Sequence, residues 1–170
     1  LSINPVIQAL LCGNSVIVKP SEVTPMSGAM VQEIFALADA PMHLVQTLIG
    51  DGETGADLIS QGPDKVSFTG SVATGKKIAA KCGEMLIPFS LELGGKSPNL
   101  VFDDCDVEKA VRFGAAFCFN NTGQSCNAAT RMLVQRSIYD EAVEIAAAKA
   151  ASTKVDLPSN EGKHIGCLLY

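Results

Sequence analysis

Ser15-Val16-Ile17-Val18-Lys19-Pro20-Ser21-Glu22-Val23-Thr24-Pro25 is the stretch from which the rest of the chain can be read. Its β-branched run, Ser15 to Val18, predicts a short strand. Thr24 followed by Pro25 predicts a helix cap and a first helical residue, and Met30, Ile34 and Leu37 then recur at helical spacing. Leu44 to Ile49 returns to strand character and stops at Gly50. Strand, helix and strand in that order predict a parallel pair with the helix crossing over one face.

The alternation continues along the chain. A helix is expected from Glu53 to Ser60, a strand from Lys65 to Thr69, and a helix capped by Ser71 whose inward stripe is Gly75, Ile78, Ala79 and Cys82. A strand is expected from Leu86 to Leu91. The pattern restarts after Gly94-Gly95, where a domain boundary is placed. Beyond it the sequence predicts a strand at Leu100 to Phe102, a helix capped by Asp106, a polar loop from Asn120 to Asn127, and a strand at Arg131 to Val134. Ser137 with Asp140 resembles a capping box opening a helix to Ala151. The expected class is α/β: a Rossmann-like parallel sheet with helices on both faces, followed by the start of a second α/β domain.

Composition narrows the function classes. Of 170 residues, 47% are hydrophobic and only 18% charged, which favours a packed core over disorder. The net charge of −5 and the scattered lysines and arginines provide no basic stripe for nucleic acid. No apolar run approaches the roughly 18 residues that a membrane span needs. Leu1 begins in mid-pattern with no signal-peptide features, so the expectation is a cytoplasmic chain that is part of something longer. The six cysteines form no CxxC pair, and with only His43 and His164 beside them no metal site is expected. Most of these cysteines read as small buried hydrophobes.

Five motifs carry candidate chemistry. Gly50-x-Gly52-x-x-Gly55 matches a dinucleotide fingerprint, but the next strand ends Phe68-Thr69-Gly70-Ser71 with no acid for a ribose. The glycines are therefore either turn formers or part of a differently seated cofactor site. Lys19 and Glu22 follow a parallel strand, at the edge where α/β sheets bind ligands; they read equally as a solvated pair. Gly70-Ser71 opens a helix whose N–H groups suit a pyrophosphate, with a plain cap as the alternative. Finally, Gly123-Gln124-Ser125-Cys126 offers a thiol in a turn, and Leu91-Glu92-Leu93-Gly94-Gly95-Lys96 offers a carboxylate: a nucleophile and a possible base. Phe117, Phe119 and Asn127 flank the cysteine loop.

Val18-Lys19-Pro20-Ser21-Glu22, Phe68-Thr69-Gly70-Ser71, the Glu92 motif and the Cys126 motif occur in the order seen in the aldehyde dehydrogenase superfamily, which the chain resembles from about Ile3 to Gly166. The resemblance implies oxidation of a small-molecule aldehyde to a carboxylic acid with NAD(P). Cys126 would form a thiohemiacetal and then a thioester, and Glu92 would activate the hydrolytic water. For the cofactor it implies Lys19 and Glu22 at the adenosine ribose, Gly52 on the adenine side, Gly70, Ser71 and Thr74 at the pyrophosphate, and Leu93 beside the nicotinamide. Glu22 should repel a 2′-phosphate, which favours NAD over NADP. Residues 1–93 would belong to the NAD-binding domain and 94–170 to the catalytic domain, and the complete protein would be a homo-oligomer, dimer or tetramer.

The Trp-Asn-Phe/Tyr-Pro and Glu-x-Phe-Gly-Pro segments of the family do not occur here, so the isolated chain is expected to have little activity. The ending Cys167-Leu168-Leu169-Tyr170 departs from the Pro-Leu with which relatives continue, as a truncation scar or frame error would. Two other readings are a non-catalytic nucleotide-binding remnant and a cysteine hydrolase or acyltransferase using Cys126 with His164 as base.

Overall fold

The computed structural model describes residues 3–166, so the ending Cys167-Leu168-Leu169-Tyr170 lies outside the described residues. The chain divides into two compact units, Leu1–Glu92 and Leu93–Tyr170. In the first, α1 (Ile3–Leu11) precedes the first expected strand, announced by the spacing of Ile3, Val6, Ile7 and Leu10. Then come β1 (Val16–Val18), α2 (Pro25–Leu37), β2 (Val45–Thr47), α3 (Gly52–Ser60), β3 (Val66–Gly70), α4 (Val72–Met85) and β4 (Phe89–Leu93), whose last residue opens the second unit. The second continues with β5 (Pro98–Val101), α5 (Val107–Phe119), a 3-10 turn at Asn120–Gly123, β6 (Arg131–Val134), a 3-10 turn at Arg136–Ile138 and α6 (Tyr139–Ala151).

The predicted α/β alternation holds, as three two-stranded ladders among the described residues. β1 and β2 pair in parallel, Val16 opposite Val45 and Val18 opposite Thr47, with α2 as the crossover. β5 and β6 pair in parallel from Pro98 opposite Arg131 to Val101 opposite Val134, with α5 as the crossover. β3 pairs with β4. Each ladder has its own apolar cluster. Val6, Val31 and Val45 gather under the first, Ile59, Cys82 and Ile87 under the second, and Val101, Val111 and Ala142 under the third.

Sequence expectations shift at several places, some for a local reason and some through a distant partner. The strand expected at Leu86 to Leu91 starts at Phe89, because Leu86 takes the left-handed conformation (φ 56°) that ends α4 and Pro88 follows it. Glu92 is thereby inside the strand. The strand expected at Leu100 to Phe102 runs from Pro98 to Val101, set by its pairing with β6. The Ser137–Asp140 capping box does not form: the Ser137 hydroxyl donates to Asp103 at 2.8 Å, and α6 begins without a side-chain cap. On α2, Met30, Ile34 and Leu37 face outward, while Gly28 and Val31 are buried. That helix is apolar on several sides, so periodicity alone does not choose its inward face. Close approach does: a Cβ on Gly28 would overlap the ring of Pro20.

Thr24 stands at the N-cap position of α2, but its side chain makes no capping hydrogen bond, whereas the Ser71 and Asp106 caps form as read. Ser71 Oγ accepts the Thr74 N–H at 3.1 Å, and Asp106 accepts that of Lys109 at 3.0 Å. No described helix is long and apolar enough to cross a membrane. Gly28→Ala gains about 1 kcal/mol in helix propensity but drives a methyl into a rigid proline ring, an overpacking cost of about 1–3 kcal/mol. We expect net destabilisation, read as a lower urea midpoint at unchanged slope.

Candidate active site

The turns after β1 and β2 meet at one side chain. Lys19 leaves β1 and its ammonium donates to the carbonyls of Pro20 (2.7 Å) and Gly50 (3.0 Å). Two of its three N–H donors are thus committed and one is left. Its stem runs along Gly55, where an added Cβ would lie 3.3 Å from Lys19 Cδ. Gly50 makes room in turn for the Thr54 side chain. Gly52 alone faces open space, with nothing within 4 Å of an added Cβ. The Gly50-x-Gly52-x-x-Gly55 motif is therefore a turn built around Lys19 and Thr54, with a single glycine left open.

An open groove of about 570 Å³ lies at these turns, lined by Glu22, Pro25, Ile49, Gly50, Asp51, Glu53, Thr54 and Asp57. Glu22, three positions after Lys19 across a Pro-Ser turn, lines this groove, and the Lys19 ammonium bonds the carbonyl of Gly50, another lining residue. Asp51 is the residue that sequence reading missed, although its signal was present: an aspartate just before a helix. It caps α3, accepting the N–H groups of Glu53 (3.0 Å) and Thr54 (3.2 Å). The Thr54 N–H, chiefly, holds the Asp51 carboxyl below its ordinary value of 3.8.

Gly70, Ser71 and Thr74 form a second cluster in the first unit. Ser71 Oγ and Thr74 Oγ1 are 3.0 Å apart, and a Cβ on Gly70 would strike the Phe68 ring. Because Ser71 caps Thr74, the N–H groups of Val72 and Ala73 remain without partners among the described residues. Glu92 is exposed, at the end of the first unit. Leu93, half-buried, opens the second.

Cys126 is exposed in the second unit and follows a turn of unusual shape. Asn121, Thr122 and Gly123 all have positive φ (51°, 55° and 79°). The Asn121 side chain donates to the Gln124 carbonyl at 3.1 Å, and the Gln124 side chain donates to Thr122 Oγ1 at 2.7 Å. After Cys126 the chain closes on itself, Ala128 N–H bonding Ser125 O at 3.0 Å, and Ala128 is buried. An added Cβ on Gly95 would lie 3.9 Å from the Cys126 carbonyl oxygen, so the double glycine and the cysteine loop are neighbours. Burial pushes the thiols of Cys82 and Cys118 up, away from thiolate, which leaves them as packing residues. Phe117 and Phe119 are half-buried and line a groove beside α6, as packing residues do. Asn127 is exposed. His164 is an unpromising base: Nε2 bonds Asn160 O at 2.8 Å, and Nδ1 is buried without a partner.

The sequence profile of the aldehyde dehydrogenase family matches residues 1–169. The chain belongs to the aldehyde dehydrogenase family. It is 40% identical to a phenylacetaldehyde dehydrogenase of Pseudomonas fluorescens over 93% of this chain and 32% of that protein. Its fold superposes with a TM-score of 0.93 on a Mycobacterium tuberculosis aldehyde dehydrogenase complexed with NAD+, at 35% identity over 98% of this chain and 35% of the other. An aldehyde dehydrogenase of Bartonella henselae gives 0.88 at 42% identity, covering 95% and 34%. The chain thus spans about a third of the length of these aldehyde dehydrogenases.

The Asp51 cap yields a pH test. Its folded-state pKa lies below 3.8, so its stabilisation is complete above that value and is lost as pH falls through the lower, folded one. We expect Asp51→Ala to lower the thermal midpoint at pH 7, with the gap to wild type closing on acidification below 3.8. Asp51→Asn, which keeps a capping oxygen, should show a smaller gap.

Proposed function

We propose that this chain carries the cofactor groove and the nucleophile of an enzyme that oxidises an aldehyde to a carboxylic acid with NAD. Residues 1–93 serve in this reading as cofactor domain and 94–170 as part of the catalytic domain. The observation that carries it is the exposed Cys126 thiol on a tied, left-handed turn, in a chain of the aldehyde dehydrogenase family.

The groove fits a dinucleotide. Gly52 leaves space where a side chain would stand, Glu22 offers acceptors to ribose hydroxyls, and Lys19 retains one donor. Gly70, Ser71 and Thr74 frame a helix start whose free N–H groups suit a pyrophosphate, and Leu93 is assigned to the nicotinamide side. Four carboxylates line the groove, Glu22, Asp51, Glu53 and Asp57. They disfavour an extra 2′-phosphate and support NAD over NADP. NAD held there supplies the hydride acceptor.

Cys126, as thiolate, adds to the aldehyde carbonyl carbon. It holds the substrate first as a thiohemiacetal and then, one oxidation level higher, as a thioester. The Cys126 backbone N–H helps to stabilise the oxyanion. Glu92 takes a proton from water as that water attacks the thioester, releasing the acid and restoring the thiol.

In the complete enzyme, Cys126→Ser should cut NADH formation by about 10³-fold or more; retention of ordinary turnover would refute the nucleophile assignment. Glu92→Gln should slow steady turnover by about 10²–10⁴-fold while a single-turnover burst of NADH survives, as rapid-mixing absorbance can show. Glu22→Gln should raise kcat/KM for NADP relative to NAD by about fivefold, the scale of an exposed charge interaction.

A further inference from the structure

Thr122 stands in a left-handed conformation, which a β-branched residue adopts only when its surroundings impose it. Two contacts from opposite ends of its side chain impose it here. Its hydroxyl accepts the Gln124 side-chain N–H at 2.7 Å. Its methyl lies under Gly166, where an added Cβ would be 3.3 Å away. Gln124 is also fixed along its backbone, its N–H bonding Asn121 O at 3.0 Å and its carbonyl accepting from Asn121.

Gly166 is held from the other side. Val155 and Ile165 form a parallel bridge, with Asp156 N–H to Ile165 O at 2.9 Å and Ile165 N–H to Lys154 O at 3.0 Å. The Asp156 carboxylate gathers the Lys154 ammonium at 2.8 Å and the Asn160 amide at 2.7 Å, closing the segment into a compact loop. A run of contacts therefore leads from that loop, through Gly166 and Thr122, to the residue two before Cys126.

We propose that Thr122 is a positioning residue for Cys126: its methyl docks on Gly166 and its hydroxyl fixes Gln124, and together they set the direction in which the thiol leaves the turn. The proposal rests on the reading of Cys126 as nucleophile. The physical stake is large, because a misplacement of about 1 Å in a reacting group can cost on the order of 10² in rate.

The test uses the complete enzyme and two readouts: steady-state kinetics, and the rate at which iodoacetamide alkylates Cys126, followed on its peptide by mass spectrometry. Thr122→Val deletes the hydroxyl and keeps the methyl. It should lower kcat and the alkylation rate by about tenfold, with KM for NAD and the thermal midpoint nearly unchanged. Gly166→Ala should press on the methyl and lower both rates by about threefold. Thr122→Ser removes that methyl, so the double variant should recover most of what Gly166→Ala loses. Thr122→Val within twofold of wild type in both rates would overturn the proposal, as would a Gly166→Ala defect that Thr122→Ser leaves unrelieved. If Cys126→Ala retains turnover, the nucleophile reading fails, and the alkylation rate still decides the positioning claim.

Discussion

A lysine that joins two carbonyls organises the first unit. The Lys19 ammonium ties the exit of β1, through Pro20, to the exit of β2, through Gly50, across 31 positions of sequence. Around that bond the small residues acquire their reasons. Gly55 is small because the lysine stem passes beside it, and Gly28 because α2 must come close to Pro20. A larger residue at either place would displace the lysine or the carbonyl it holds, and the groove beside Glu22 and Asp51 is drawn by those same turns. The packing constraint and the candidate cofactor site are one arrangement of atoms.

Much of this was legible in the sequence, and the legible parts share a local cause. β6 falls at Arg131–Val134 as read, since a short apolar run bounded by polar residues needs no distant partner to be recognised. The Ser71 and Asp106 caps also form as read, because a cap depends only on residues three positions apart. The misread places depended on longer-range choices. Ser137 had the spacing of a cap, but its hydroxyl is engaged elsewhere, donating to Asp103, 34 positions away, and accepting from the Gln135 side chain. On α2 the spacing of apolar residues left the inward face open, and the close approach of Gly28 to Pro20 fixes it. The glycine fingerprint was legible as letters only; its meaning lay in which side chain each glycine makes room for.

The candidate nucleophile shows the same limit. The motif marks Cys126 by identity, yet nothing in its letters reveals three successive left-handed residues or the two-ended grip on Thr122. The short order Asn121, Thr122, Gly123 and Gln124 encodes the turn through bonds made within it, the Asn121 side chain to the Gln124 carbonyl and the Gln124 side chain to the Thr122 hydroxyl, in a left-handed conformation favoured by asparagine and glycine and unusual for threonine. Exposure then separates this thiol from Cys82 and Cys118, whose burial keeps them protonated.

The acidic rim of the groove has a consequence for the kinetics of filling it. In the proposed reading a dinucleotide, itself an anion, approaches the four carboxylates Glu22, Asp51, Glu53 and Asp57. Long-range fields therefore slow its arrival, and mobile ions shorten their reach to roughly 8 Å at physiological ionic strength. Capture of the cofactor should thus quicken as salt is added, the reverse of the electrostatic steering by which many enzymes draw in charged ligands, with close-range hydrogen bonding supplying the affinity once the rim is passed.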